Sequence, residues 1–139
     1  MRKIILNKSY GGFMPSLKAY REYAKRKGIE VYRYDFGPKY IKSDKWDEEG
    51  RLFGIVLTKD YGNELPLSLP EEAREDMLML DGSMREDPDL VAVVEELGKE
   101  ANSEFSRLVV VEVPDEVASD YVIDNYDGIE TLHKRVEEW

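Results

Sequence analysis

Cysteine is absent from the chain, which removes disulfides, thiolate nucleophiles and thiolate metal sites together and is compatible with a cytosolic setting. Histidine occurs once, at His133, so no second imidazole can complete a zinc site. Long apolar runs are missing as well. The opening Met1-Arg2-Lys3-Ile4-Ile5-Leu6-Asn7 holds three consecutive apolar residues, against about 7–15 for a secretory signal and about 20 for a membrane span. The expectation is a soluble, cytoplasmic protein without a membrane partner. A full G-x-G-x-x-G fingerprint and a G-x-S-x-G elbow are lacking too, since "KSYGG" around Ser9 fits neither.

What is present points to one domain spanning 1–139. The apolar share of 42% and charged share of 36% suit a highly charged globule. Charge is unevenly placed. Residues 1–42 carry eleven Lys and Arg against three Asp and Glu, a net of +8; the other 97 carry nine against 27, a net of −18. A basic first third inside an acidic body has two readings. Either it attracts the acidic remainder within the fold or a dimer, or it forms a small cationic site for a phosphate-bearing ligand while the body repels long nucleic acid.

The expected fold class is α/β (α+β): a mixed sheet begun by a βαβ unit, with helices packed on it and a C-terminal helix. Arg2–Leu6 reads as a strand. Pro15 and Ser16 open a helix whose Leu17, Tyr20 and Ala24 share a face, and Gly28 stops it after Arg26-Lys27. Residues 29–36 read as a second strand, parallel to the first, followed by strands over 40–46 and 52–58 and a short helix near 70–80. Asp87-Pro88 starts a helix with Leu90, Val94, Leu97 and Ala101 inside, ending near Asn102. The apolar run Leu108–Val113 suits a central strand covered on both faces, and 121–124 a short one. "NYDG" turns the chain, and Asp127 with Glu130 reads as a capping box for a last helix carrying Ile129, Leu132, Val136 and Trp139. Leu6, Leu17, Tyr20, Val31, Ile55, Leu90, Val94, Leu97, Val109, Val111, Ile129 and Leu132 are expected in one core.

The candidate site is the glycine pair Gly11-Gly12 where the first strand meets the first helix. It is either a tight turn or a backbone that must lie close to a ligand. Under the second reading Asn7, Lys8, Tyr10 and Phe13 surround the ligand, with Tyr10 or Phe13 able to stack on a base, and Asp35 stands where dinucleotide folds place a ribose-binding acid. His133 borders an apolar face and reads first as a packed histidine. The carboxylates Glu95, Glu96, Asp120, Asp124, Asp127 and Glu130 read mainly as solvated charges and caps, although one or two with a substrate phosphate could hold magnesium. No constellation demands catalysis, and no cofactor is implied.

Three stretches, "LNKSYGGF", "DPDLVAVVEELGKEANSEFSRLVVVEVPDEV" and "IDNYDGIETLHKRVEEW", resemble a family of small proteins encoded by bacteriophages and prophages. The likeness covers about the first 15 and last 55 residues, and Asn102, Tyr126, Asp127, Gly128, Glu130, His133 and Trp139 match in place. The terminal H-R-x-W pattern departs here, with Lys134 between His133 and Arg135. The resemblance implies an accessory protein of the bacterial cytoplasm, of a kind that often counters host defence, and adds Asn102, Tyr126, His133 and Arg135 to the ligand-binding candidates. Two functions stay open: a non-catalytic sponge for a small nucleotide-derived immune signal, and an acidic inhibitor docking on a host defence protein. A metal-assisted phosphodiesterase is a weaker third. Abundant tyrosine and a terminal Trp139 further predict a homo-oligomer, a dimer or higher.

Overall fold

The computed structural model describes residues 1–46 and 54–135. The first strand, β1 (Arg2–Asn7), buries four consecutive residues, Ile4 to Asn7, because it is covered on both faces. It pairs antiparallel with β6 (Leu108–Val113), with Ile5 opposite Val110. On one side of this ribbon lie α1 (Leu17–Lys27) and α3 (Pro88–Leu97). Ser16 caps α1 by accepting from the Ala19 N–H, and Gly28 ends it in the left-handed conformation, φ 69°. Asp87 caps α3 by accepting from the Asp89 and Leu90 N–H groups, with Pro88 in the first turn. Leu17, Ala19, Tyr20 and Tyr23 meet Leu90, Val91, Val93 and Val94 in the main core, joined by Ile5 and Leu108.

The other side of the ribbon is covered by a hairpin, β7 (Tyr121–Tyr126) and β8 (Ile129–Lys134), and by the short α4 (Asp115–Ala118). Ile4, Leu6, Val109, Val111, Val113, Ala118, Ile123 and Leu132 form that second apolar layer. A separate antiparallel sheet has the order β4-β2-β3-β5, from β2 (Tyr32–Asp35), β3 (Tyr40–Ser43), β4 (Gly54–Leu57) and β5 (Glu64–Leu65). It has its own core around Tyr34, Ile55, Leu57 and Leu65, closed by Ala73 of α2 (Glu71–Glu75).

The α+β class is as expected, but five of the sequence expectations change. Leu108–Val113, expected to be a central strand, is an edge strand whose one paired strand among the described residues is β1. Every strand pair among the described residues is antiparallel, so β1, α1 and β2 do not form a parallel βαβ unit. A four-residue connection to β3 gives β2 a local partner at small loop-closure cost, and β1 goes to β6 instead. The expected last helix is strand β8. Asp127 and Gly128 have φ 49° and 98°, the two positive values of a tight primed hairpin turn, and that turn overrides the capping-box reading. Within the described residues α3 stops at Leu97 and continues to Ala101 as a 3-10 turn. The expected single core is three clusters: Leu17, Tyr20, Leu90 and Val94, with Val31 and Leu97 at its margin, lie in the first; Ile55 lies in another; Leu6, Val109, Val111 and Leu132 lie in the third; Ile129 lies in none. Val136 and Trp139 lie outside the described residues.

The charge asymmetry resolves into pairs. Nine of the eleven cations in residues 1–42 are ion-paired, and seven of them reach acids of the later chain: Arg2 to Glu86, Lys3 to Glu95, Lys18 to Glu100, Arg26 and Lys27 to Asp89, Lys39 to Glu64, Lys42 to Asp60. Lys25–Glu22 and Arg33–Asp35 are local. The attraction of the basic third for the acidic body is therefore realised inside the fold.

Candidate functional site

The Gly11-Gly12 loop sits on a buried polar network at the end of β1. Asn7 is fully buried. Its backbone N–H donates to Glu130 Oε1 at 2.8 Å; its Nδ2 donates to the carbonyls of Ser9 and Gly128 at 2.8 and 2.7 Å; its Oδ1 accepts from the Arg107 N–H at 2.9 Å. Glu130 is held bidentately by Arg85, at 3.1 and 2.9 Å, with both side chains largely out of solvent. Arg85 also donates to the carbonyls of Ile5 and Gly82, and its guanidinium lies over the Phe13 ring, 5.5 Å from the centroid. Lys8 Nζ donates to the Glu130 carbonyl. No buried side-chain nitrogen or oxygen among the described residues is left without a partner.

The two glycines make a tight turn and a close backbone approach at once, and the approaching backbone belongs to the chain itself. Both have φ 115°, a conformation costly for any residue with a Cβ. The Gly11 N–H donates to the Asp127 carbonyl at 3.1 Å, and a Cβ on Gly11 would stand 2.8 Å from Phe105. A Cβ on Gly128 would stand 2.5 and 2.6 Å from the Gly12 and Gly11 nitrogens. The hairpin tip is thus pressed onto the loop, and only the outer side of Gly12, where a Cβ would meet nothing within 4 Å, is open.

Three loops consequently touch here: residues 8–14, residues 103–107 and the β7–β8 tip. The second is tied to the first by Ser106 Oγ, which donates to the Met14 carbonyl at 2.6 Å. Each loop carries one aromatic side chain turned to solvent: Tyr10 is 63% exposed, Phe105 48% and Tyr126 73%. Large apolar groups left outside a core with ample cover are informative in a way that buried ones are not.

Of the expected ligand set, the fold gathers Asn7, Lys8, Tyr10, Gly11, Gly12, Phe13 and Tyr126 at this end. Asn7 and Phe13 lie beneath the surface as support. Asn102 is close by in a structural role, its Oδ1 accepting from the Leu108 N–H at 2.7 Å. Asp35 is not brought here; it lies in the second sheet, bonded to Arg33. His133 and Arg135 are at the opposite end of β8 from the tip, paired with Asp124 and Asp120. Among the described residues, no three His, Asp or Glu side chains are gathered as metal ligands.

Sequence reasoning missed Arg85, Phe105 and the role of Glu130. The Asp-Gly dipeptide flanked by "YVIDNY" and "IETLHK" was the available signal for a hairpin, whose alternation turns Glu130 and Leu132 inward. Nothing local marks Arg85, which meets Glu130 across 45 residues. No protein-family model, curated protein or solved structure matches the chain.

Proposed function

We propose that this protein is a non-catalytic binding protein that sequesters a small nucleotide-derived molecule at the rim formed by Tyr10, Phe105 and Tyr126. The observation that carries the reading is the presentation of these three exposed rings on three loops, two of them bonded to the 8–14 loop, over a satisfied polar network. A planar base gains by stacking on such rings, and rings held by rigid loops lose little freedom on binding. Lys8, with two N–H groups beyond the one bonded to Glu130, is the cation at hand for a phosphate. Binding rather than cleavage is favoured because the Glu130 carboxylate beneath the rim is fully engaged by Arg85 and Asn7. The phage-family resemblance supports a host immune signal as the molecule held.

The test is to incubate the purified protein with extract of a defence-activated bacterial host, denature it by heat and identify what is released by mass spectrometry. Intact nucleotide is the expected result. A cleaved nucleotide would mean an enzyme, and no small molecule would point to a protein partner. Tyr126→Ala and Phe105→Ala should each weaken the captured ligand about 5- to 150-fold, the equivalent of one lost base stack, with the circular-dichroism spectrum unchanged.

A further inference from the structure

The apolar strand β6 has one edge that nothing among the described residues covers, and every other sheet edge of the described residues is protected. The outer edge of β1 is closed by Arg85, which bonds both the N–H and the carbonyl of Ile5, and by Glu130 on the Asn7 N–H. The edge of β4 is closed by the chain at 76–78, through Thr58 to Asp76 and Leu78 to Val56. Strand β5 is two residues long, and the β7–β8 hairpin carries charges at Asp124 and Lys134. Proteins blunt their edges by such means; β6 has a single charge, Glu112, in six residues, and a long, mostly apolar edge is a template for pairing.

The register shows which groups are on offer. Ile5 turns its N–H and carbonyl away from β6, so Val110 opposite turns its own away from β1. Leu108, Val110 and Glu112 therefore face outward. Asn102 occupies the Leu108 N–H, and Pro114 has none. The N–H and carbonyl groups of Val110 and Glu112 and the carbonyl of Leu108 have no partner among the described residues.

We infer that β6 pairs antiparallel with β6 of a second copy of this chain, about a two-fold axis at Val110. The two Val110 residues then exchange N–H···O bonds, and each Glu112 N–H meets the Leu108 carbonyl of the other copy. Charge selects the occupant and the direction. The strand has a basic end at Arg107, exposed and making no ion pair among the described residues, and an acidic end at Glu116 and at Asp115, which also pairs with the Met1 ammonium at 3.2 Å. Antiparallel pairing brings each basic end to the other copy's acidic end and sets Glu112 against uncharged Leu108; parallel pairing would oppose like charges. The result is a continuous β1-β6-β6-β1 sheet whose apolar layers run through both copies.

Light scattering after gel filtration of the full chain should give twice the monomer mass at tens of micromolar. Glu112→Pro removes an outward N–H at an exposed position while leaving the β1 ladder untouched, and should weaken the dimer about tenfold or more. Arg107→Glu should weaken it as well, and Arg107→Glu with Asp115→Arg should restore it; these surface changes decide the matter if Glu112→Pro proves unfolded by circular dichroism. A monomeric mass at every concentration, or a dimer indifferent to these changes, overturns the proposal.

Discussion

At the scale of single residues, glycine is needed for two different reasons on neighbouring backbones. Gly12 has space around its missing Cβ and only an unfavourable φ, so Gly12→Val should cost about 1–2 kcal/mol of stability. Any fall in affinity per folded molecule beyond that would place the ligand against the open side of Gly12. Gly128 has both a positive φ and two backbone nitrogens within 2.6 Å of a Cβ. Gly128→Ala should therefore cost more than Gly12→Ala, by about 1–3 kcal/mol, in urea unfolding; equal losses would show that the tip is not pressed onto the loop. Glu130 offers a sharper contrast. Glu130→Ala leaves Arg85 buried without its partner and should cost about 3–5 kcal/mol. Replacing Arg85 and Glu130 together with apolar residues of similar volume should recover much of that loss.

At the scale of elements, the helices follow local chemistry while the C-terminal hairpin follows a turn. The α1–α3 seam is bordered by Arg26 and Lys27 facing Asp89. The Lys27 hydrogen bond, more than any other influence, holds the Asp89 carboxyl below the ordinary range. Because the folded value is depressed, its stabilisation is present above the unfolded value, about 3.9, and lost as pH falls through the folded one. The melting temperature should drop between pH 5 and pH 3, and Asp89→Asn should flatten that drop while lowering the melting temperature at pH 7; a parallel curve would refute the role of Asp89. The hairpin carries no such local signature apart from Asp-Gly. The spacing of Ile129 and Leu132 fits a helix face, and Glu130 fits a cap, so the pattern alone admits both structures. Burial of Glu130 on Arg85 settles it, and Arg85 is remote in sequence.

At the scale of the whole molecule, the basic first third is neutralised by the acidic body. The chain as folded should not bind long DNA or RNA more tightly than about 10⁻⁴ M at physiological salt, the weak end of non-specific binding; a retarded band in a gel-shift assay at micromolar protein would contradict this. The amino-acid sequence by itself determined the α+β class, α1 and its Gly28 stop, α3 and its Asp87 cap, and β1 and β6, because capping groups, helical spacing and apolar runs act over a few residues. It also marked Gly11-Gly12 as either a tight turn or a backbone close to a ligand. Only the tertiary structure decided that the β7–β8 tip packs on that glycine pair, that β1 pairs with β6, that β6 is an edge, and that Asn7, Arg85 and Glu130 form one buried network. Those outcomes depend on which distant surfaces exclude water together and which buried polar groups find partners, and neither quantity is written in any local stretch of the chain.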